Sequence, residues 1–246
     1  GEIPQDKKYG GEPTRLEIGD RNTIREFVTI NRGTAQDAGL TRIGDDNWIM
    51  AYVHIDHDCV VGDRTIFANG ASLAGHVHIE DDVVLGGFAL IYQFTRLGAH
   101  SFCGFACGVN RDVPPYVTVA GYRAEPYGIN AEGLRRRGFT DEEIQAIRRA
   151  YKAIYRANLR LEEAVEKVRE MTKDWPRLHI LADFLAAPSR NGIVRLRTRG
   201  VVFSPECENK QLRSLQTTLQ TGFDKLIQIA IEYRLGIAVF NPGAQI

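Results

Sequence analysis

Residues 43–109 read IGDDNWIMAYVHIDHDCVVGDRTIFANGASLAGHVHIEDDVVLGGFALIYQFTRLGAHSFCGFACGV. Every sixth position is apolar or small: Ile43, Ile49, Ile55, Val61, Phe67, Leu73, Ile79, Leu85, Ile91, Leu97, Cys103 and Val109. Four places on from these, a second small or β-branched set recurs, including Val53, Cys59, Thr65, Ala71, Val77, Val83, Ala89, Thr95, Ser101 and Cys107. A period of six fits neither the 3.6-residue turn of a helix nor the two-residue alternation of a strand. It is the signature of hexapeptide repeats wound into a parallel β-helix. Each hexapeptide forms one short side and three close a triangular coil. The ruler residue points inward, so stacked coils bury one continuous apolar column. Residues 43 to about 114 supply four coils, and Ile18, Ile24 and Ile30 supply a fifth.

Outside this stretch the repeat is interrupted and then lost. Residues 1–15 (GEIPQDKKYGGEPTR) are polar and rich in Gly and Pro, which reads as a loop leaving the prism. The ruler jumps from Ile30 to Ile43, one residue more than two repeats, through Ala35–Thr41, a second protruding loop. Loops on a rigid solenoid commonly form one wall of a binding cleft. The chain opens Gly-Glu-Ile-Pro without Met, and nothing before Ile3 reads as a cap, so residue 1 is expected to lie inside the solenoid. Pro114 and Pro115 are expected to end the ladder, since proline has no N–H to donate. A connector over 116–139 carries the polar run NAEGLRRRGF. Thr140 and Glu143 then form a capping box ahead of a helix with Ile144, Ile147, Tyr151, Ile154 and Tyr155 on one face. Further helices are expected over Leu161–Met171 and Pro176–Ala187. The resulting division is a β-helix over 1–115, a connector and small α-helical domain over 116–195, and a partly helical tail over 196–246.

Composition sets outer bounds. The 246 residues are 43% hydrophobic and 25% charged, ordinary for a globular protein. Lys plus Arg balance Asp plus Glu at 31 each, so no global basic field argues for nucleic acid or an anionic membrane. Of four cysteines, Cys59, Cys103 and Cys107 fall on inward positions, where thiols fill space. They suggest no disulfide framework, which fits a reducing cytoplasm. No stretch is long and apolar enough to span a bilayer as a helix, so no membrane insertion is expected.

The densest chemical constellation is His54-Ile55-Asp56-His57-Asp58. His57 and Asp58 lie off the inward ruler and are expected to face outward. A histidine beside a carboxylate suits a general base, because the carboxylate orients the imidazole and stabilises its protonated form. His76 follows about one coil later, after Gly75, whose backbone permits close approach of a ligand and can offer an N–H to an oxyanion. The three histidines are thus expected in register on adjacent coils. Shared zinc held by histidines across a subunit interface is an alternative use of them. Arg135-Arg136-Arg137, after Asn130 and Glu132, suits a diphosphate such as that of a nucleotide sugar, because guanidinium forks bind phosphate in two-pronged fashion. No P-loop or dinucleotide fingerprint is present.

The segments QDKKYGGEPTRLEIGDRNTIRE (5–26), HIDHDCVVGDR (54–64), ASLAGHV (71–77), RDVPPYV (111–117) and INAEGLRRRGF (129–139) closely resemble one family. It is the acyl-carrier-protein-dependent UDP-N-acetylglucosamine O-acyltransferases that begin lipid A synthesis. The resemblance covers residues 1 to about 195, with several N-terminal coils absent and the tail unmatched. It implies a left-handed parallel β-helix, a homotrimer with active sites between subunits, and transfer of a 3-hydroxyacyl chain from acyl carrier protein to the glucosamine 3-hydroxyl. By the same resemblance His57 is the general base, Asp58 its orienting carboxylate and Gly75 the oxyanion donor. Asp6, Lys8, His54, His76, Gln93, Asn130, Glu132, Arg136 and Arg137 bind the nucleotide sugar or the donor's phosphopantetheine arm. No cofactor is implied, the carrier's thioester being a substrate, and no metal.

Tyr92 and Asn31 stand where the family usually has His, which opens N-acylation of a related amino sugar as an alternative. Phe102 and Phe105 occupy the stretch where the family measures acyl length. Two large rings there are expected to favour shorter chains, each excluded methylene being worth about 0.8 kcal/mol. A zinc hydratase and a non-catalytic solenoid are the competing readings of other classes. The acidic carrier protein is expected to dock on local basic residues, with Arg135–Arg137, Arg148, Arg149 and Lys152 as candidates.

Overall fold

A computed structural model of the chain describes residues 1–196; the expectations for the rest of the tail lie outside the described residues. Fifteen short strands climb a prism with three faces, and all pairing between them is parallel. The first face stacks Arg15–Ile18, Leu40–Ile43, Val60–Val61, His78–Ile79 and Arg96–Leu97. The second stacks Thr23–Ile24, Trp48–Ile49, Ile66–Phe67, Val84–Leu85 and Phe102–Cys103, and the third runs from Thr29–Ile30 to Gly108–Val109. The six-residue ruler is borne out. Every ruler residue from Ile43 to Val109 is buried, and so is the second small set. Burial pushes the Cys59 thiol up to about 12 and that of Cys107 to about 11, so these cysteines are inert filler.

Ile18, Ile24 and Ile30 do form a fifth coil, but its register shows what the interruption is. Ile43 pairs with Val61, eighteen residues on, whereas Ile18 pairs with Ile43, twenty-five residues on. The jump is therefore one repeat plus a seven-residue insertion, not two repeats plus one. Leu40 and Thr41, read above as loop, already belong to the next strand. Ile18 and Ile24 are each 42% exposed, because no further described coil covers this end of the column.

Pro114 and Pro115 do not stop the ladder. Val117–Ala120 adds to the second face in parallel beside Phe102–Cys103, and Glu125–Ile129 folds back antiparallel on it. The prolines precede the strand, where a missing N–H costs nothing. Among the described residues four helices follow: α1 (Ala131–Arg136), α2 (Asp141–Tyr155), α3 (Leu161–Met171) and α4 (His179–Ala186), the last preceded by a 3-10 turn at Pro176–Leu178. The Thr140–Glu143 capping box is present. Leu134, Ile144, Ile147, Val168, Leu178 and Leu181 form a second core, joined to the solenoid through Tyr116, whose hydroxyl donates to the Arg177 carbonyl at 2.6 Å. Tyr151 and Val194 pack into the solenoid core.

His100 is wedged at this junction. Its ring stacks on Tyr116 at 5.6 Å and meets Phe139 edge-on at 5.1 Å. Desolvation lowers its pKa below 6.5 against the opposing pull of Asp82. The unfolded chain therefore takes up a proton near pH 6.5 that the folded chain refuses, and stability falls as pH drops below that value. Thermal melts should show a midpoint that declines between pH 7.5 and 5.5, and His100→Gln, which cannot titrate, should flatten that decline.

Candidate active site

The coil length decides which side chains meet. His57, Gly75 and Gln93 lie eighteen residues apart at one corner of the prism, and Asp58, His76 and Phe94 occupy the next position of the same corner. The backbone ladder locks the levels together: the His76 N–H donates to the His57 carbonyl at 3.0 Å, and the Phe94 N–H to the Gly75 carbonyl at 3.2 Å.

His57 Nδ1 lies 2.9 Å from Asp58 Oδ2. The carboxylate also accepts the Thr34 N–H at 2.8 Å and the Thr34 hydroxyl at 2.6 Å, and the Asp58 N–H donates to Thr41 Oγ1. An ionised carboxylate only accepts, so the proton of this pair sits on Nδ1 and Nε2 is left as the base. Both residues stay off the apolar column, as expected, yet they are shielded from solvent: His57 is 8% and Asp58 3% exposed. The seven-residue insertion carries Thr34 over Asp58, a tertiary contact that the repeat pattern alone does not encode. His57 is shielded without joining the apolar column, because its ring lies across Gly75. A Cβ built on Gly75 would fall 2.6 Å from His57 Cε1 and 2.7 Å from Nε2, so only glycine admits the ring here. The Gly75 N–H has no acceptor among the described residues.

His76 makes a second pair, Nδ1 to Asp37 Oδ2 at 2.7 Å, and meets His57 edge-on at 5.0 Å. Its ring also stacks on Phe94 at 4.5 Å. A cleft of about 820 Å³ opens on this corner, lined by Gln5, Asp6, Lys8, Gln36, Asp37, Asp56, His57, His76, Gln93, Phe94 and Arg190. Both protruding loops read from the sequence thus form its wall, and Asp6, Lys8, His76 and Gln93 all reach it. Asp37, Thr34 and Arg190 were not singled out from sequence. The first two sit in an insertion without periodicity, and Arg190 lies far down the chain.

Other candidates fall elsewhere. His54 is not in register with His57 and His76 at their corner. It lies on the third face, its Nδ1 2.7 Å from Thr29 Oγ1, because three residues along a hexapeptide turn the chain from a face to a corner. It lines a separate, largely apolar groove of about 540 Å³ with Asp56, Leu90, Ile91, Tyr92, Val109, Tyr122 and Arg123, among others. Asp56 borders both cavities. Phe102 and Phe105 line neither. Phe102 is within the second face, and Phe105, 73% exposed, packs edge-on against Phe88. Asn31 is buried, its amide donating to the Ile3 carbonyl at 2.9 Å, so it pins the N-terminal segment and does not face the cleft.

Asn130 N-caps α1 through Gly133 and donates to the His100 carbonyl at 3.0 Å. Glu132 pairs with Arg136, and Arg137 with Asp82, whose carboxyl burial would raise but the Arg137 and Arg64 hydrogen bonds hold below its ordinary value. None of these four lines the His57 cleft within one chain. One ligand atom each of His57, Asp58 and His76 lies within 4.8 Å of the others, compact enough for a metal, yet both Nδ1 atoms already face carboxylates.

Comparison with known proteins agrees with this architecture. Residues 40–75 match the family described as bacterial transferase hexapeptide (six repeats), and residues 112–194 match domain 2 of UDP-N-acetylglucosamine O-acyltransferase. An acyl-[acyl-carrier-protein]–UDP-N-acetylglucosamine O-acyltransferase of Alkalilimnicola ehrlichii is 57% identical over 195 residues, 79% of this chain and 75% of that protein. Its counterpart in Herminiimonas arsenicoxydans is 59% identical over 199 residues, again 79% of this chain and 76% of that one. The crystal structure of UDP-N-acetylglucosamine acyltransferase from Francisella novicida superposes with a TM-score of 0.78 at 44% identity, covering 80% of this chain and 72% of that one.

Gly75→Ala tests the site's packing directly. The added methyl collides with the His57 ring, so activity should fall by about a hundredfold or more while the circular-dichroism spectrum and melting temperature stay close to parental values.

Proposed function

The chain belongs to the acyl-[acyl-carrier-protein]–UDP-N-acetylglucosamine O-acyltransferase family, and we propose that His57, oriented by Asp58, is the general base of its acyl transfer. The reaction moves an acyl chain from acyl carrier protein to UDP-N-acetylglucosamine, in lipid A biosynthesis. The observation that carries the proposal is the His57–Asp58 pair whose Nε2 lies against Gly75 at the wall of a polar cleft.

A sugar hydroxyl is a poor nucleophile until a base takes its proton in the transition state. Nε2 of His57 accepts the proton of the glucosamine 3-hydroxyl as that oxygen attacks the thioester carbonyl carbon. The carbonyl oxygen gains the negative charge and accepts the Gly75 N–H. Collapse of the adduct breaks the C–S bond, and the imidazolium returns its proton to the departing thiolate. Asp58 stabilises the imidazolium while it exists. Oxygen, sulfur and proton balance without a covalent enzyme intermediate, a cofactor or a metal. The apolar groove beside His54 is the natural bed for a 3-hydroxyacyl chain, since it shares Asp56 with the cleft and is lined by Leu90, Ile91 and Val109.

We infer that a neighbouring subunit completes the site. Asn130, Glu132, Arg136 and Arg137 reach the nucleotide sugar only if a second copy brings its α1 to the cleft, which supports a homotrimer. Phe102 and Phe105 likewise act on chain length only across such a contact. No helix among the described residues is long and apolar enough to cross a membrane, and we place the reaction in the cytoplasm, where the carrier-bound donor is made. The carrier protein's docking site is a groove of about 520 Å³ on α2 and α3. Arg149, Lys152, Arg156 and Lys167 rim it over Ala153, Ala157 and Met171, a basic edge for an acidic partner.

Mass spectrometry of the product from UDP-N-acetylglucosamine and carrier-bound 3-hydroxyacyl donors should show a single ester-linked chain. His57→Ala should reduce turnover at least about a hundredfold, and a chelator should change nothing. Turnover kept by His57→Ala, or lost to chelator, refutes the mechanism. Charge reversal at Arg149 and Lys152 should raise the KM for carrier-bound donor several-fold at low salt and leave the KM for the nucleotide sugar unchanged.

A further inference from the structure

The corner that holds the catalytic pair continues past Phe94 with a segment from the far end of the described chain. Asn191 Nδ2 donates to the Gln93 carbonyl at 3.1 Å, the Asp112 N–H donates to the Gly192 carbonyl at 2.8 Å, and the Val194 N–H donates to the Asp112 carbonyl at 2.9 Å. Three hydrogen bonds thus dock residues 191–194 against the solenoid in the place a further corner residue would occupy. The preceding residue, Arg190, sits over Phe94, its guanidinium carbon 3.7 Å from the ring centroid.

His76 stacks on Phe94 at 4.5 Å and an interplanar angle of 9°. The imidazole and the guanidinium cannot share a face of the ring, because two parallel groups both stacked at van der Waals height over one benzene ring collide. Phe94 is therefore sandwiched, with His76 on the catalytic side and Arg190 on the other. A guanidinium stacked on an aromatic face keeps all five N–H groups at its edge. No carboxylate pairs with Arg190 among the described residues, and the side chain is exposed on the rim of the His57 cleft. The arginines that the sequence offered for phosphate are differently placed. Arg135 and Arg136 are paired with Glu132, and Arg137 with Asp82.

We propose that Arg190, held on Phe94 one ring from His76, binds the diphosphate of the nucleotide-sugar acceptor. The inference rests on the acyl-transfer reading of the cleft. Two phosphoryl sources exist in that reaction, the nucleotide diphosphate and the carrier's phosphopantetheine, and distance selects between them. The 3-hydroxyl and the anomeric carbon stand across a single pyranose ring, so the nearer phosphorus is only a few bonds from the oxygen that His57 deprotonates. The pantetheine phosphate lies at the far end of an arm many bonds longer. A cation one stacked ring from His76 matches the first. Lys8, also on the rim and without an ion pair among the described residues, faces the same anion. An arginine fork bonds two phosphate oxygens at once, and the aromatic platform fixes its plane before the ligand arrives.

The test is Arg190→Ala and Arg190→Lys in the intact chain, assayed with carrier-bound donor and UDP-N-acetylglucosamine. Calorimetric titration with UDP runs beside the kinetics. We expect Arg190→Ala to raise the KM for UDP-N-acetylglucosamine at least tenfold, to weaken UDP binding by a similar factor, and to change the KM for donor less than twofold. Arg190→Lys keeps the charge but loses the fork, and should recover part of the affinity. Unchanged KM and UDP affinity in Arg190→Ala overturns the inference, and so does a rise confined to the carrier-bound donor. His57→Ala separates this from the reading beneath it. Loss of turnover with parental UDP affinity upholds the mechanism whatever Arg190 does, whereas retained turnover removes the mechanism and leaves the UDP titration to decide the diphosphate contact.

Discussion

Everything in this molecule depends on the backbone ladder that holds each coil in exact vertical register with the next. A parallel solenoid has no choice of partner once the repeat length is set. Strand pairs such as Val84–Phe102 and Leu90–Gly108 are bonded at the same eighteen-residue offset, and each ruler residue lands on its predecessor. The apolar column then gains burial at every level without any side chain having to be specified individually. What the column leaves free are the corners, whose side chains point away from the core and can be used for chemistry.

Those corners carry three different characters. At one, Phe27 stacks on Tyr52 at 5.0 Å and Phe88 meets Phe105. At the second, Arg21 pairs with Asp46, and Arg64 with Asp81 and Asp82, the latter also holding Arg137. The third carries Asp58, His76 and Phe94. Corner residues adopt left-handed backbone at all three, with φ of 57° at Arg21, 57° at Asp58 and 57° at Phe88. A non-glycine residue there costs roughly 1–2 kcal/mol. Since the cost recurs at aromatic, charged and histidine corners alike, it belongs to the fold, offset by the ladder, and does not by itself mark a functional site. The mark of the third corner is chemical: two histidines each held by its own carboxylate beside an unbonded N–H.

The sequence carried the column almost completely, because a six-residue period over twelve successive positions has no competing explanation. It carried His57, Asp58, Gly75 and His76 as well, since fixed coil length converts linear spacing into vertical neighbours. It misplaced His54, three residues from His57 yet on another face. It also left the burial of Asp58 unseen, because Thr34 reaches that carboxylate through an insertion that obeys no period. The proline pair misled for a related reason. Proline forbids one donor, not one strand, and a strand beginning just beyond it pairs normally.

Arg190 marks the limit of periodic reading from the opposite side. Nothing near it in the chain repeats, and its neighbours Ser189 and Asn191 read as loop. Only the hydrogen bonds of Asn191 and Gly192 to Gln93 and Asp112 show that this segment takes over where the corner's own repeat stops. The solenoid thus fixes His57, Asp58 and His76 by repetition, and non-repeating segments close over them: Gln5 to Lys8 on one rim, Thr34 to Asp37 over the carboxylates, Arg190 beyond Phe94. Rigid positions suit a base that must be oriented within tenths of an ångström, and segments free of the repeat suit the walls, because only they can differ in sequence without breaking the ladder. Charge follows the same division. The repeat supplies His57 and His76, each paired with a carboxylate, and the non-repeating segments supply Lys8 and Arg190, the cations on the rim of the cleft.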